Sequence, residues 1–275
     1  MPELPLGVIV GLREDPEEPI RKVHDLGLPT CQISCWRTEL FTEEVAERLG
    51  EAAERYGVRV TTIWTGYPGP AVWNLVDGPS TIGLVPEKWR KERLEALKRG
   101  SDFARRSGVG SITTHVGFIP EDPKDEKYVT LVPVLREIAE YCGERGQYFC
   151  FETGQETPVA LLRTMEDVGT ENLGVNLDPA NLLMYGKANP VDALDIIGRF
   201  VRGVHAKDGE YPTDGRSLGK EKPLGEGRVN FPVLIPKLKS LGYTGPITIE
   251  REISGEQQVR DILRAKEILE PLCRG

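Results

Sequence analysis

The feature that most constrains this chain is a strand-like run followed by a helical run, repeated eight times in 275 residues. The β-rich runs are LGVIVGL, TCQISC, RVTTIW, SITTHVG, YFCFETG, LGVNLD, VRGVHAKD and GPITIERE. Between them lie amphipathic stretches such as EEVAERLGEAAERYG, PEKWRKERLEALKRGSDFARRSG and LVPVLREIAEYCGERG. These carry apolar residues at helical spacing and stop at Gly57, Gly108 and Gly146. Eight such units in a chain of this length predict an α/β protein closed into a (β/α)8 TIM barrel. A doubly wound sheet is the rival, but no G-x-G-x-x-G follows the first strand and no shift in composition marks a second domain. A single barrel domain over residues 1–275 is expected.

Four of the runs carry a metal-ligand residue type just where each stops reading as a strand: Glu152, Asp178, His205 and Glu250. In a barrel of this kind the chemistry sits at the C-terminal ends of the strands. Because successive strand side chains point to opposite faces, each residue can be checked against its neighbours. Glu152 facing inward sends Phe149 and Phe151 outward, and Asp178 inward sends out Leu173, Val175 and Leu177. His205 inward leaves Val204 and Ala206 outside, and Glu250 inward leaves Ile247 and Ile249 outside. All four outer faces are then apolar, as a covering layer of helices requires. Three carboxylates and one imidazole form a hard donor set suited to one divalent ion, Mn(II), Mg(II), Co(II) or Zn(II), rather than to a thiolate site. The plainer alternative is four buried polar residues that satisfy one another inside the barrel.

Composition narrows the function classes. The net charge of -8 disfavours a nucleic-acid partner, which draws on a concentrated basic surface, although a few local cations can still serve a phosphorylated substrate. No run approaches the ~20 apolar residues of a membrane span. MPELPLGVIVGLRED lacks the basic start and long apolar stretch of a signal peptide, so a cytoplasmic protein is expected. Five scattered cysteines fit neither a disulfide framework nor a zinc-thiolate site and read as reduced core thiols. A homo-oligomer is left open.

Further residues are candidates for substrate contact. His115 and Lys207 share inward parity with strand-end positions, although a link from Lys207 to Asp208 is the better reading of that pair. Trp36 and Trp64 end strands two and three and suit stacking on the C–H face of a sugar. Two long connections, from Gly66 to Val85 with Tyr67 and Trp73 and from Gly209 to Asn230 with Arg216 and Lys220, follow strands and should form lids or walls over the catalytic face. Glu210, Arg216 and Arg251 suit hydroxyl or phosphate binding, whereas charges near strand ends more often face solvent. His24 and Trp89 read as packing residues.

The segments FETGQET, NLDPANLL, HAKDG and PLGEGRVNFPVLIPKLKSLGYTGPITIERE resemble the xylose-isomerase-like TIM barrels of the sugar phosphate isomerase/epimerase family, along nearly the whole chain. The resemblance implies that Glu152, Asp178, His205 and Glu250 hold one divalent ion. It also implies that Glu152 and Glu250 are the acid–base pair acting on opposite faces of a carbohydrate substrate. The family's ketose 3-epimerases carry a histidine three residues after the aspartate, where this chain has Asn181 in DPAN, so their substrate does not transfer directly. Proton abstraction beside a carbonyl is the implied reaction class. Return of the proton to the opposite face gives epimerisation, return to the neighbouring carbon gives isomerisation, and loss of a leaving group gives a lyase or dehydratase. A DNA-repair endonuclease on a related barrel needs more than the three histidines present. A non-catalytic sugar-binding barrel would have lost a ligand, and all four remain.

Overall fold

The computed structural model describes residues 3–275. Its strands are β1 (Leu6–Gly11), β2 (Thr30–Cys35), β3 (Arg59–Thr65), β4 (Ser111–Thr114), β5 (Tyr148–Glu152), β6 (Leu173–Leu177), β7 (Val201–Ala206), β8 (Asp208–Gly209), β9 (Glu221–Lys222) and β10 (Ile247–Ile249). Eight of them close a barrel in the order β1-β10-β7-β6-β5-β4-β3-β2, and β8 with β9 makes a separate two-stranded antiparallel ribbon. Every pairing within the barrel is parallel.

The helices are α1 (Glu17–Asp25), α2 (Glu43–Tyr56), α3 (Gly78–Thr81), α4 (Glu87–Arg106), α5 (Glu126–Gly143), α6 (Pro158–Val168), α7 (Pro179–Met184), α8 (Pro190–Ile197), α9 (Phe231–Ser240) and α10 (Glu256–Cys273). Gly57 and Gly169 end α2 and α6 in the left-handed conformation at φ 63° and 70°, which a side chain would resist. The short α7 escapes the periodicity argument, but its start is written in the sequence: Asp178 caps it and Pro179 takes the first helical position.

Strand parity holds as read. Phe149, Phe151, Leu173, Val175, Leu177, Val204, Ala206, Ile247 and Ile249 are all buried in the apolar layer between sheet and helices. The inward positions are unusually polar for a barrel interior, with buried Thr30, Gln32, Thr62, Thr113, Asn176 and Thr248. All five cysteines are free and buried. No helix among the described residues is long and apolar enough to cross a membrane.

Candidate metal centre and cavity

At the C-terminal end of the barrel one atom from each of Glu152, Asp178, His205 and Glu250 lies within 4.8 Å of the others. Glu152 is the last residue of β5, and His205 sits within β7. Glu250 follows β10, its amide donating to Ala206 O at 3.2 Å. Asp178 follows β6 and is tied to its neighbour strand, because Thr153 Oγ1 accepts the Asp178 amide at 2.8 Å and donates to the Asp178 carbonyl at 2.9 Å. His205 Nδ1 lies 3.0 Å from Glu250 Oε2, 3.2 Å from Glu152 Oε1 and 3.8 Å from Asp178 Oδ2.

Asp178 Oδ2, His205 Nδ1 and Glu250 Oε2 are all buried and none makes a well-formed hydrogen bond. Buried polar atoms are ordinarily satisfied, and each one left over costs about 1–3 kcal/mol. Three such atoms aimed at one point fit a cation held between them, so the quartet does not behave as a self-satisfied polar core.

The electrostatics agree with that fit. Burial acts to raise the Glu152 carboxyl, yet the His205 and His115 rings beside it bring it below the usual carboxylate range. Burial also acts on Glu250, where Lys207 and His205 outweigh it and hold the group well below its ordinary value. Asp178 is raised because its burial is not fully offset by Lys207 and His205. His205 lies well above an ordinary imidazole: burial would lower it, but Glu152 and Glu250 prevail.

A cavity of about 510 Å³ opens above the quartet. Glu152 and Glu250 line it, as do Trp36, Trp64, Trp73, His115 and Asn181. Asp178 and His205, both at 0% exposure, lie beneath its floor. The aromatic residues form a continuous wall, with ring centroids 5.1 Å apart for Trp36–Trp64, 5.9 Å for Trp36–Trp73 and 5.3 Å for Trp73–His115. Trp64 also donates its indole N–H to Glu152 Oε2, a polar task that the stacking role did not anticipate.

Lys207 does not pair with Asp208. Its ammonium lies 3.0 Å from Glu252 Oε1, 3.3 Å from Asn181 Oδ1 and 3.5 Å from both Asp178 Oδ2 and Glu250 Oε2. Adjacent residues on an extended segment point to opposite sides, which sends Asp208 away from the site. The Asp208 carboxylate instead accepts the amides of Gly209, Gly225, Gly227 and Val229 at 2.8–3.0 Å, and the PLGEGRVN loop is wrapped around it. Arg216 is exposed and lies outside the cavity lining; its carbonyl accepts the Leu75 amide at 3.0 Å, joining the two long loops.

The loop after β3 is a built wall rather than a loose lid. Arg93, fully buried on α4, donates to four of its carbonyls: Pro68 at 3.0 Å, Pro70 at 2.7 Å, Thr81 at 2.8 Å and Gly83 at 2.6 Å. Sequence reasoning missed Arg93, since a buried arginine looks like any other charge on an amphipathic helix. It also missed Glu252, Met184, Tyr185 and Leu218 in the lining. Gln32, whose Oε1 lies 2.8 Å from His205 Nε2, was missed as well; the signal that could have found it is a polar side chain opposite in parity to Cys31 and Ile33 on β2.

The fold recurs in known proteins. A xylose isomerase domain protein from Planctomyces limnophilus is 36% identical, with 98% of each chain covered and a TM-score of 0.93. A D-tagatose 3-epimerase-like protein is 22% identical over 98% of this chain and 97% of that one, with a TM-score of 0.76. A xylose isomerase-like TIM barrel protein from Mycobacterium smegmatis, solved in complex with magnesium, is 17% identical over 98% and 96%, with a TM-score of 0.71. The last two likenesses speak to fold alone. Residues 20–270 match the family profile as well, and the chain belongs to the xylose isomerase-like TIM barrel family.

Proposed function

We propose that this protein binds one divalent cation through Glu152, Asp178, His205 and Glu250 and moves a proton at the carbon beside a carbonyl of a neutral keto-sugar. The outcome is epimerisation or aldose–ketose isomerisation. The observation that carries the reading is the convergence of three unsatisfied buried atoms under a cavity that only the two glutamates of the quartet reach. Magnesium in the Mycobacterium smegmatis relative is consistent with the donor set.

A cation there would offset the negative charge that builds on substrate oxygens as the proton leaves, acidifying the C–H bond. Glu152, ionised and oriented by the Trp64 indole, can accept a proton from one face of the substrate. Glu250, kept ionised beside Lys207, stands across the quartet to exchange a proton at the other face. Trp36, Trp73 and His115 offer ring surfaces against which C–H groups pack, and Asn181 offers an amide to a hydroxyl.

Neutrality of the substrate follows from the charge of the walls. Arg251 is the one cation among the described residues lining the cavity, and its Nη1 and Nε are already paired with Glu221 at 2.9 Å and Asp261 at 2.7 Å. The other charged side chains of the lining, Glu152, Glu250 and Glu252, are acidic, so among the described residues the walls offer no free lysine or arginine to a phosphate.

The test is incubation of the cation-loaded protein with ketoses, keto-glycosides and inososes in deuterated water. Deuterium should enter beside the carbonyl of an epimerised or isomerised product, and neither Glu152→Gln nor Glu250→Gln should form that product at saturating cation, although the carboxylate that remains can still exchange a proton at its own face. Product that still forms in either variant contradicts the two-carboxylate scheme, and a dehydrated product would reassign the outcome to a lyase.

A further inference from the structure

Beneath the quartet, three inward-facing polar residues from β7, β2 and β6 run in series. His205 Nε2 lies 2.8 Å from Gln32 Oε1, and Gln32 Nε2 donates to Asn176 Oδ1 at 2.9 Å. All three side chains are sealed from solvent, at 0%, 1% and 1% exposure. A carboxamide has an accepting end and a donating end. With its donating end taken by Asn176, Gln32 offers the imidazole only an oxygen, and that oxygen calls for an N–H at His205 Nε2. The other nitrogen, Nδ1, is then the one left facing Glu152, Asp178 and Glu250 as a lone pair when a cation binds.

The barrel is shaped around this series. A Cβ at position 203 would stand 2.4 Å from Asn176 Oδ1 and 3.2 Å from Gln32 Nε2, so Gly203 on β7 is what lets the two amides meet. Neither amide reaches the cavity above. Two buried amides in the barrel floor, touching no substrate, therefore act on the site only through the ring they orient.

We propose that Gln32, itself held by Asn176, is a positioning residue that fixes the proton of His205 on Nε2 and so presents Nδ1 to the cation site. Outer partners of this kind contribute about 10–100-fold to metal affinity. The affinity effect rests on the cation site proposed above; the orientation of the ring does not.

The test compares Gln32→Met, which removes the acceptor, with Gln32→Glu, which retains one; the Asn176 amide can turn to donate to a carboxylate. In the metal-free protein carrying 15N-labelled histidine, taken alkaline enough to bring the His205 ring to its neutral form, an exchange-protected Nε2–H should be present in the parent and in Gln32→Glu and absent from Gln32→Met, where the proton moves to Nδ1. Calorimetric titration with Mn2+ should show affinity about 10–100-fold weaker in Gln32→Met and close to the parent in Gln32→Glu. Should Gln32→Met fail to fold, Asn176→Leu supplies the loss, since it frees the Gln32 amide to turn, and the same weakening is expected. The proposal is overturned if the acceptor-free variant keeps the protected resonance and parental affinity, or if Gln32→Glu weakens binding as much as Gln32→Met. A parent that shows the protected resonance but takes up no divalent ion would sink the cation site while supporting the orientation of His205.

Discussion

Asp178 Oδ1 accepts the backbone N–H of Asn181 at 2.8 Å, so the carboxylate that caps α7 has only Oδ2 left to turn into the quartet. The two tasks are separable because asparagine caps a helix about as well as aspartate. In Asp178→Asn the cap survives and the ligand charge goes. We expect the affinity for Mn2+ or Mg2+ to fall at least about tenfold, partly recoverable with excess ion, and the melting temperature to stay level or rise. Calorimetric titration and thermal unfolding measured on one preparation check both. Undiminished affinity would remove Asp178 from the donor set.

Cation binding should release a proton. His205 is held above the usual imidazole range by Glu152 and Glu250, so without a cation it is protonated at neutral pH, and a ligand nitrogen must be bare. Affinity should therefore rise with pH through the neutral range. Titrations in buffers of differing ionisation enthalpy should count protons lost per ion, and a pH-independent affinity would contradict the role given to His205.

Glu156 predicts a pH-dependent stability outside the quartet. Burial pushes its carboxyl from 4.5 up to about 8, because Lys187 and the amides of its own loop offset burial only in part. Its Oε1 has no hydrogen-bond partner. The folded state keeps a proton that the unfolded chain gives up above about pH 4.5, so this contribution is complete below that pH and is lost as pH rises toward 8. The loss approaches 1.4 kcal/mol per pH unit at most. Glu156→Gln, which is neutral at every pH, should flatten the slope in denaturant unfolding between these limits. An unchanged slope would show that the group titrates elsewhere.

Arg93→Met should separate the substrate wall from the cation site. It strands four carbonyls of the 66–85 loop, that of Gly83 buried and those of Pro68, Pro70 and Thr81 part-buried, a cost of about 3 kcal/mol and roughly 5–10 °C in melting temperature. Trp73, which that loop carries to the cavity, should lose its fixed position, weakening substrate binding while cation affinity holds. Trp73→Ala should reproduce the weakened substrate binding with little loss of stability, since the side chain is 41% exposed. If Trp73→Ala instead unfolds the protein, the tip of the loop is packing rather than wall.

The quartet was legible because strand parity is a local property: Glu152 must face opposite to Phe149 and Phe151 wherever the strand ends up. The barrel followed from the same alternation. Lys207 shows where that reasoning stops. Parity set it inward, but its partners come from β6, α7 and the segment after β10, and no local rule brings Glu252 or Asn181 to it. Arg216 shows the converse, since a charge in a loop after a strand lies on the right face of the molecule and still outside the cavity. The cavity residues Met184, Tyr185 and Leu218 depend on how α7 and the second long loop run, which is set by contacts far apart in the chain.

The Asp208 carboxylate holds the second long loop through main-chain amides alone. An anchor that grips only backbone is indifferent to the side chains strung along the span it secures. Glycines that make room for close approach, such as Gly219 and Gly227, are fixed, but most positions between Tyr211 and Leu218 answer to nothing in that anchor. This rim meets the first loop at Leu75 and supplies Leu218 to the cavity. Lineages or engineers can thus rewrite the rim without disturbing the frame, and selectivity for what enters the cavity can diverge while the barrel and its four converging side chains stay as they are.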